Sequence, residues 1–385
     1  MRRSGSVRLI GLASAAALMS ATIACGANTG SGSGQGLPDK IDLVSVQDLS
    51  GTSGPGGQST KNGMDTAIKE INETKFLGNT QLALSYEDSA TDPAKGASKM
   101  SQTAAGGTPL VFGSFTSATA LAEAPIAQKA KLPTIFTQAG ASGLLDAGDY
   151  IYRATPLQTS YFNKTLEYLQ SKGVKKASLI YDTDVPTIVD LAHQFQDSSA
   201  KYGFTVAASE ATTSKQVDVS SQISKLLAPQ PDAIFVDVLL AHNVQVIKQL
   251  RQAGYRGLIV AQQGAGGGVL KPLGADADGV VLANDFNPLS ADPGSQHFTQ
   301  RYQAQFNELP GNFSAEGYDA VWLAARAIKQ AGSADRAKIL QGLQTVAQQG
   351  FDGALGKITF QNRQEVTPGV LVEIRGGAET PVKAP

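Results

Sequence analysis

The stretch PDAIFVDVLLAHNVQVIKQLRQAGYRGLIVAQQG, Pro231 to Gly264, decides the fold. AIFVDV is an apolar run of strand length, residues 242–253 read as a helix, and LIVAQ is a second strand that runs into a loop of glutamine and glycine. The same order of strand, loop, helix, strand and glutamine-glycine loop occurs about 123 residues earlier in TPLVFGSFTSATALAEAPIAQKAKLPTIFTQAG, Thr108 to Gly140. Working outward, IDLVSV precedes a segment with Met64, Ile68 and Ile71 at helical spacing, and LALSY (82–86) precedes a helix start at Asp92-Pro93. ASLIYD, a helix near 187–202, FTVAAS and a helix near 218–228 complete the series. Strands that alternate with helices predict an α/β fold of parallel sheets covered on both faces, and the echo predicts two doubly wound lobes. Ligands of such sheets sit outside the carboxyl ends of the strands. Five loops are therefore expected around one cleft: 113–118, 137–143, 182–187, 239–243 and 261–268.

The glycines after Gln263 do not form a nucleotide cradle. A dinucleotide fingerprint counted from Gly264 puts Val269 where its third glycine belongs, and no Gly-Lys-Ser/Thr occurs in the chain. Gly140-Ala141-Ser142-Gly143-Leu144 misses the nucleophile-elbow pattern at its last position, so no enzyme is expected. The net charge of −1 argues against nucleic acid as a partner. His193, His242 and His297 are scattered, which argues against a histidine metal site, and no cofactor is expected.

The N-terminus reads as an export signal: Arg2, Arg3 and Arg8, then an apolar stretch from Leu9 to Ala24. It ends at Cys25, the chain's only cysteine, in the pattern of a lipobox whose cysteine becomes a lipidated N-terminus. GANTGSGSGQG, Gly26 to Gly36, has the composition of a flexible tether. The expected organisation is a signal peptide over 1–24 and a lipidated tether over 25–39. Lobe 1 is expected from 40–153 with 283–349, and lobe 2 from 154–282 with 350–385. The expected location is outside the cell membrane, lipid-anchored or periplasmic.

DLSGTSGPGGQSTKNGMDTAIKEIN, EDSATDPAKGASKM, AEGYDAVWLAARAIKQAG and FDGALGKITF, in this order and together with the opening stretch, resemble the leucine/isoleucine/valine-binding family. Its members are type I periplasmic binding proteins, the solute receptors of ABC importers. The likeness runs from about Lys40 to Arg375. It implies two lobes joined by three strands, crossing near Arg153, Leu282 and Gly350, and hinge closure on a small ligand. It also implies a monomer and partnership with a permease and an ATPase. The same fold serves sensors, but no signalling domain follows it in this sequence, which favours transport.

Family members that take amino acids hold the carboxylate with a serine and a threonine from lobe 1, and pair the ammonium with an acid from lobe 2. By resemblance the serine falls on Ser117, with Thr116 beside it. The threonine falls on Gly140 or Ala141, which have no hydroxyl, with Ser142 as the nearest substitute. The tyrosines fall on Pro186 or Thr187 and on Leu239, and the acid falls on Gln263. No Asp or Glu lies between Asp237 and Asp276. An ammonium there lacks its partner, a loss worth about 3–5 kcal/mol when the pair is buried. Asp182 and Asp184 are the alternative source of charge. The remaining candidates lean apolar, Phe115, Phe136, Leu239 and Leu240, with Gln138, Gln263 and His242 as hydrogen-bonding groups. Ser117 precedes a helix start whose N–H groups favour an anion. The expected ligand has a carboxylate toward lobe 1 and an uncharged, partly apolar body toward lobe 2.

Overall fold

A computed structural model describes residues 36–382; the expected signal segment, Cys25 and the tether to residue 35 lie outside the described residues. The first lobe is built from β1 (Lys40–Gln47), α1 (Gly54–Glu73), β2 (Gln81–Asp88), α2 (Pro93–Ala105), β3 (Val111–Gly113), α3 (Ser117–Lys129), β4 (Thr134–Phe136) and β5 (Ile151–Arg153). The chain then enters the second lobe through α4 (Gln158–Tyr161) and α5 (Asn163–Ser171). There it forms β6 (Lys176–Asp182), α6 (Pro186–Ser198), β7 (Thr205–Thr212), α7 (Ser220–Leu227), β8 (Ala233–Asp237), α8 (His242–Gln252), β9 (Leu258–Ala261) and β10 (Val280–Asn284). It returns to the first lobe as α9 (Pro293–Phe306), α10 (Asn312–Ala331), α11 (Arg336–Gln349), β11 (Phe351–Gly353), β12 (Gly356–Gln361) and β13 (Gln364–Val366). Finally β14 (Val370–Arg375) and β15 (Ala378–Pro381) close the second sheet.

The two sheets have the orders β11-β12-β13-β5-β4-β3-β1-β2 and β15-β14-β10-β9-β8-β6-β7. Each is parallel through its middle, with antiparallel strands added at one end. Both faces of each sheet are covered, as the unbroken apolar strands require. In the first sheet Phe112 joins the core on one face while Val111 joins the core on the other; in the second, Ile234 and Phe235 divide in the same way. Local chemistry starts the helices. Asp92 accepts from the N–H groups of Ala94 and Lys95 ahead of Pro93, and Asp335 caps Ala337 and Lys338. α1 and α10 lie so close that a Cβ on Gly63 would fall inside the Ser314 carbonyl, and one on Gly317 inside that of Thr60. Neither position admits a side chain at this helix spacing.

The third crossing falls later than expected. Residues 351–366 do not enter lobe 2: β13 pairs parallel with β5 through Gln364 and Arg153, so the chain changes sheets after Val366 and not at Gly350. The reason is a tight hairpin. Asn362 and Arg363 both have positive φ, 49° and 65°, and turn β12 directly into β13. Arg363 then donates to the carbonyls of Gly148, Ile151 (3.1 Å) and Leu145 (3.2 Å), fixing the hairpin to the first lobe. The second crossing begins after β10, a strand that contains Leu282, and ends at α9.

Candidate ligand-binding cleft

The loops after β3 and β4 carry the first-lobe side of the cleft. Thr116 is the N-cap position of α3 and Ser117 its first residue. Ala120 is the first to close a helical bond, onto the Thr116 carbonyl at 2.9 Å, so Ser117, Ala118 and Thr119 bear the unsatisfied N–H groups of the first turn. The Ser117 hydroxyl accepts from the Ala141 N–H at 3.1 Å, which leaves its own hydrogen free to donate. The Thr116 and Thr119 hydroxyls bond each other at 2.8 Å.

The 113–117 loop is held from below by buried side chains. Gln47 Nε2 donates to the Gly113 carbonyl at 3.0 Å, and Asp48 accepts from the Thr116 N–H at 2.7 Å. Glu123 accepts from the Ser114 N–H at 3.0 Å and contacts the Ser114 hydroxyl. Burial raises the Glu123 carboxyl to about 8 against those hydrogen bonds, with the charge of Asp48 adding to the rise.

Phe115 stands half-buried against Phe313, edge to face at 4.8 Å between centroids. Its ring also covers Gly56 at the start of α1, where a Cβ would meet it at 2.6 Å. Gln138 Nε2 donates to the Phe313 carbonyl at 3.3 Å, and the Gln138 amide also lies against Glu316. Ser142 is exposed. Phe136, a candidate for either the apolar lining or the core, is core: it is the last residue of β4, fully buried and packed over Gly113. Across the gap, a Cβ on Gly140 would stand 3.2 Å from the Thr187 methyl, so the positions matched to the family threonine and tyrosine meet.

In the second lobe both expected alternative acids are committed elsewhere. Asp182 is fully buried; it accepts from the Leu239 N–H at 2.8 Å and pairs with His242 Nδ1 at 2.9 Å. Asp184 takes the Ser214 N–H at 2.9 Å and the Ser214 hydroxyl at 2.7 Å, tying the loop after β7. What little burial it has opposes ionisation, but these bonds hold its carboxyl below the usual range. His242 opens α8 and is buried, as a helix-start residue. Leu239 remains 37 % exposed at the rim, and Leu240 beside it has a φ of +37°, a strained value for a residue with a Cβ.

Gln263 does not replace the family acid as a free reader. Its Nε2 donates to Asp285 Oδ1 at 2.9 Å, and its Oε1 accepts from Gln158 Nε2 at 3.0 Å. Local sequence gave no sight of this acid, because Asp285 arrives on the crossing after β10. Behind it lies Glu316 of α10, which accepts from the Thr155 hydroxyl at 2.9 Å. Burial raises both carboxyls; the charge and contact of Asp285 raise Glu316 further, while the hydrogen bonds Asp285 receives, from Glu316 first, act against its rise. The floor between the lobes is therefore acidic, although the loops above it are not. Phe313, Asp285 and Glu316 were absent from the expected site. The signal for Glu316 is an acid on the buried face of α10, at AEGYDA, where Asp319 is a second one.

Among the described residues no cluster of His, Cys, Asp and Glu side chains is arranged to hold a metal ion, and no helix is long and apolar enough to cross a membrane.

Comparison with known proteins agrees with this geometry. Residues 40–378 match the family described as periplasmic binding protein. A Leu/Ile/Val-binding protein homolog 7 of Brucella melitensis is 25 % identical over 341 residues, covering 82 % of this chain and 84 % of that one. Among solved structures, the substrate-binding protein LivJ of Streptococcus pneumoniae, in complex with isoleucine, superposes with a TM-score of 0.79 at 24 % identity, covering 89 % of this chain and 99 % of that one. A solute-binding protein of R. palustris in complex with benzoate gives a TM-score of 0.77 at 19 % identity, over 89 % of this chain and 95 % of that one. With its two open α/β sheets, crossings between them and cleft loops at the strand ends, the chain belongs to the periplasmic binding protein family.

Proposed function

We propose that this chain is the solute receptor of an ABC importer and closes its lobes on a small carboxylate-bearing, partly apolar molecule that lacks an α-amine. The observation that carries the reading is the asymmetry of the cleft. On the first lobe, the Ser117 hydroxyl and the first-turn N–H groups of α3 are free to bind an anion. On the second, Asp182 and Asp184 have both oxygens engaged, and Gln263 stands where an ammonium partner is needed. The edge-to-face pair of Phe115 and Phe313 supports an apolar or aromatic body. The benzoate complex of a structural neighbour supports a carboxylate without an amine; the isoleucine complex of another supports the competing reading, a branched-chain amino acid. Lipid attachment at Cys25 would hold the receptor at the outer membrane face, near its permease and ATPase.

Calorimetry with matched pairs tests the reading: leucine against its desamino counterpart isocaproate, and phenylalanine against its desamino counterpart 3-phenylpropanoate. The amine-free member of each pair is expected to bind at least about tenfold more tightly, a difference of about 1.4 kcal/mol. Tighter binding of leucine would replace the proposed cargo with an amino acid and leave the receptor role intact. Recovery of radiolabelled cargo in cells that lack this gene alone would remove the transport role.

A further inference from the structure

Asp285 and Glu316 are 2 % and 1 % exposed, and neither is hydrogen-bonded to a cation. Each uses one oxygen on a neutral donor: Asp285 Oδ1 on Gln263, Glu316 Oε1 on Thr155. The other two oxygens, Asp285 Oδ2 and Glu316 Oε2, are buried without a well-formed hydrogen bond among the described residues. The Phe286 N–H also lies near Asp285 and the Gln138 amide near Glu316, and the two carboxyls lie within hydrogen-bonding reach of each other. Two carboxylates have no hydrogen to share, so such a contact requires that one of them be a carboxylic acid. Both ionised at this depth would be two adjacent charges without a counter-ion.

The position of the pair gives it a consequence. Gln263 belongs to a cleft loop of the second lobe and Gln138 to a cleft loop of the first, and the two amides lie against Asp285 and Glu316 respectively. Thr155 and Asp285 sit on two of the crossings, and Gln158, which completes the bonding of Gln263, opens α4 just beyond the first of them. We propose that Asp285 and Glu316 share one proton and, through it, act as positioning residues that hold the cleft glutamines of both lobes in register for closure. The proposal rests on the two-lobe closure of the family and not on the identity of the cargo.

The ionisable groups around the pair are mostly acids. Tyr161 of α4 presents a buried hydroxyl without a partner, and the two carboxyls help hold it protonated. Glu365 of β13 is buried with both oxygens unpartnered, and burial first, then Asp319 and Asp285, favours its neutral form. Asp319 of α10 is anchored on the N–H groups of Ala354 and Leu355, and Arg326 contributes positive charge to it. Arg153 points its guanidinium at the carbonyls of Ala139 and Ala141. Removing the shared proton therefore adds negative charge to a floor that already holds several acids. The relief available is hydration, which means parting the lobes. Closure is retained as pH falls and lost as pH rises.

The test uses the ligand-free chain. Infrared difference spectra of wild type against Glu316→Gln, and against Asp285→Asn, are expected to show loss of a carboxylic-acid carbonyl band in both variants. An amide at 316 keeps a donor for Asp285 and an acceptor for Thr155 at every pH. Glu316→Gln should therefore hold its Tm at mildly alkaline pH above that of wild type by about 2 °C or more, while matching it at acid pH. X-ray scattering should show wild type expanding with rising pH and the variant not. If neither variant loses a carboxylic-acid band, the shared proton is excluded. If the bands are lost but expansion with pH is the same in variant and wild type, the positioning role is excluded. Should one variant fail to fold, the other carries the same difference spectrum. A failure here leaves the calorimetric panel unaffected, and a failure of the panel leaves these ligand-free readouts standing.

Discussion

The cleft loops of the two lobes are built alike below and differently above. In the first lobe the buried Asp48 and Glu123 accept backbone N–H groups of Thr116 and Ser114; in the second the buried Asp182 accepts that of Leu239. Each acid serves as a brace for a loop at the end of a parallel strand. Above the brace, the first lobe presents Ser117 and the start of α3, whereas the second presents an exposed leucine. The difference teaches that an acid near a cleft says little about ligand charge until its free oxygens are counted. Asp182 and Asp184 have none.

The largest effect expected from disturbing this comparison is in a brace and not in a reader. Burial raises Glu123 from 4.5 to about 8. Between those values the folded chain holds a proton that the unfolded chain has released, so stability falls as pH rises through the window. The cost is on the order of 5 kcal/mol across it. The Ser114 hydroxyl donates to Glu123 Oε1 and also lies 3.3 Å from the Val46 carbonyl, to which it can turn when a protonated Glu123 donates in its place. Glu123→Gln can make the same two bonds. It should fold normally, and urea titrations should lose the alkaline decline specific to wild type. An unchanged decline would mean that Glu123 is ionised in the folded chain and that the first-lobe loop rests on a charge.

Next comes the contrast between the two upper surfaces. Ser117→Ala removes the hydroxyl proposed to meet the carboxylate and is expected to weaken binding of the carboxylate probes by about 10- to 100-fold. Leu239→Ala trims partly exposed apolar surface and should cost less than about fivefold. Calorimetry on isocaproate and 3-phenylpropanoate checks both. If the two losses are equal, or Leu239→Ala is the larger, the first lobe does not hold the carboxylate.

Much of this architecture was legible because it is local. The alternation of apolar runs with helical segments requires only that a strand be buried on both faces, and Asp92-Pro93 announces α2 by its own capping chemistry. Ser117 was placed by resemblance to the family's serine, and in the structure it opens α3, where a strand-end loop turns into a helix. What stayed hidden is what depends on partners far away in the chain. FDGALGKITF reads as strand, but which sheet it joins is decided by Arg363 reaching the carbonyls of residues 145–151. The absence of acids between Asp237 and Asp276 was a correct count and an incomplete inference, since Asp285 enters the same space from the next crossing and touches Gln263. Phe136 stayed open between lining and core because an aromatic at a strand end points to either face, and only the bare Gly113 beside it decides which.

That displaced acid sharpens a smaller prediction. Restoring the family's charge at Gln263 would set a carboxylate against Asp285, so Gln263→Glu is expected to lower Tm and to leave leucine binding no better. Leu239→Asp places the charge at an exposed rim position instead. There an ion pair with a ligand ammonium is worth at most about 1 kcal/mol, and the ratio of leucine to isocaproate affinity should rise by about fivefold or less. If Gln263→Glu produces the larger rise, Asp285 is neutral and the proton is not shared in the sense argued above.

The smallest effect is assigned to Asp184, and it discriminates because it is small. Its two oxygens serve Ser214 at the open end of the second lobe. Asp184→Asn keeps one acceptor and weakens a loop tie, so the loss of stability should be about 1 kcal/mol or less. The carboxyl is held below its ordinary range by those bonds, which outweigh what burial it has. Its contribution to stability is therefore present above the ordinary carboxylate value and disappears as pH falls through the lowered one. The asparagine variant should flatten that acid limb slightly and change no ligand affinity. A drop of tenfold or more in leucine binding, with isocaproate unaffected, would make Asp184 the ammonium partner. In that event the second lobe would read charge after all, from a loop whose carboxylate must first release Ser214.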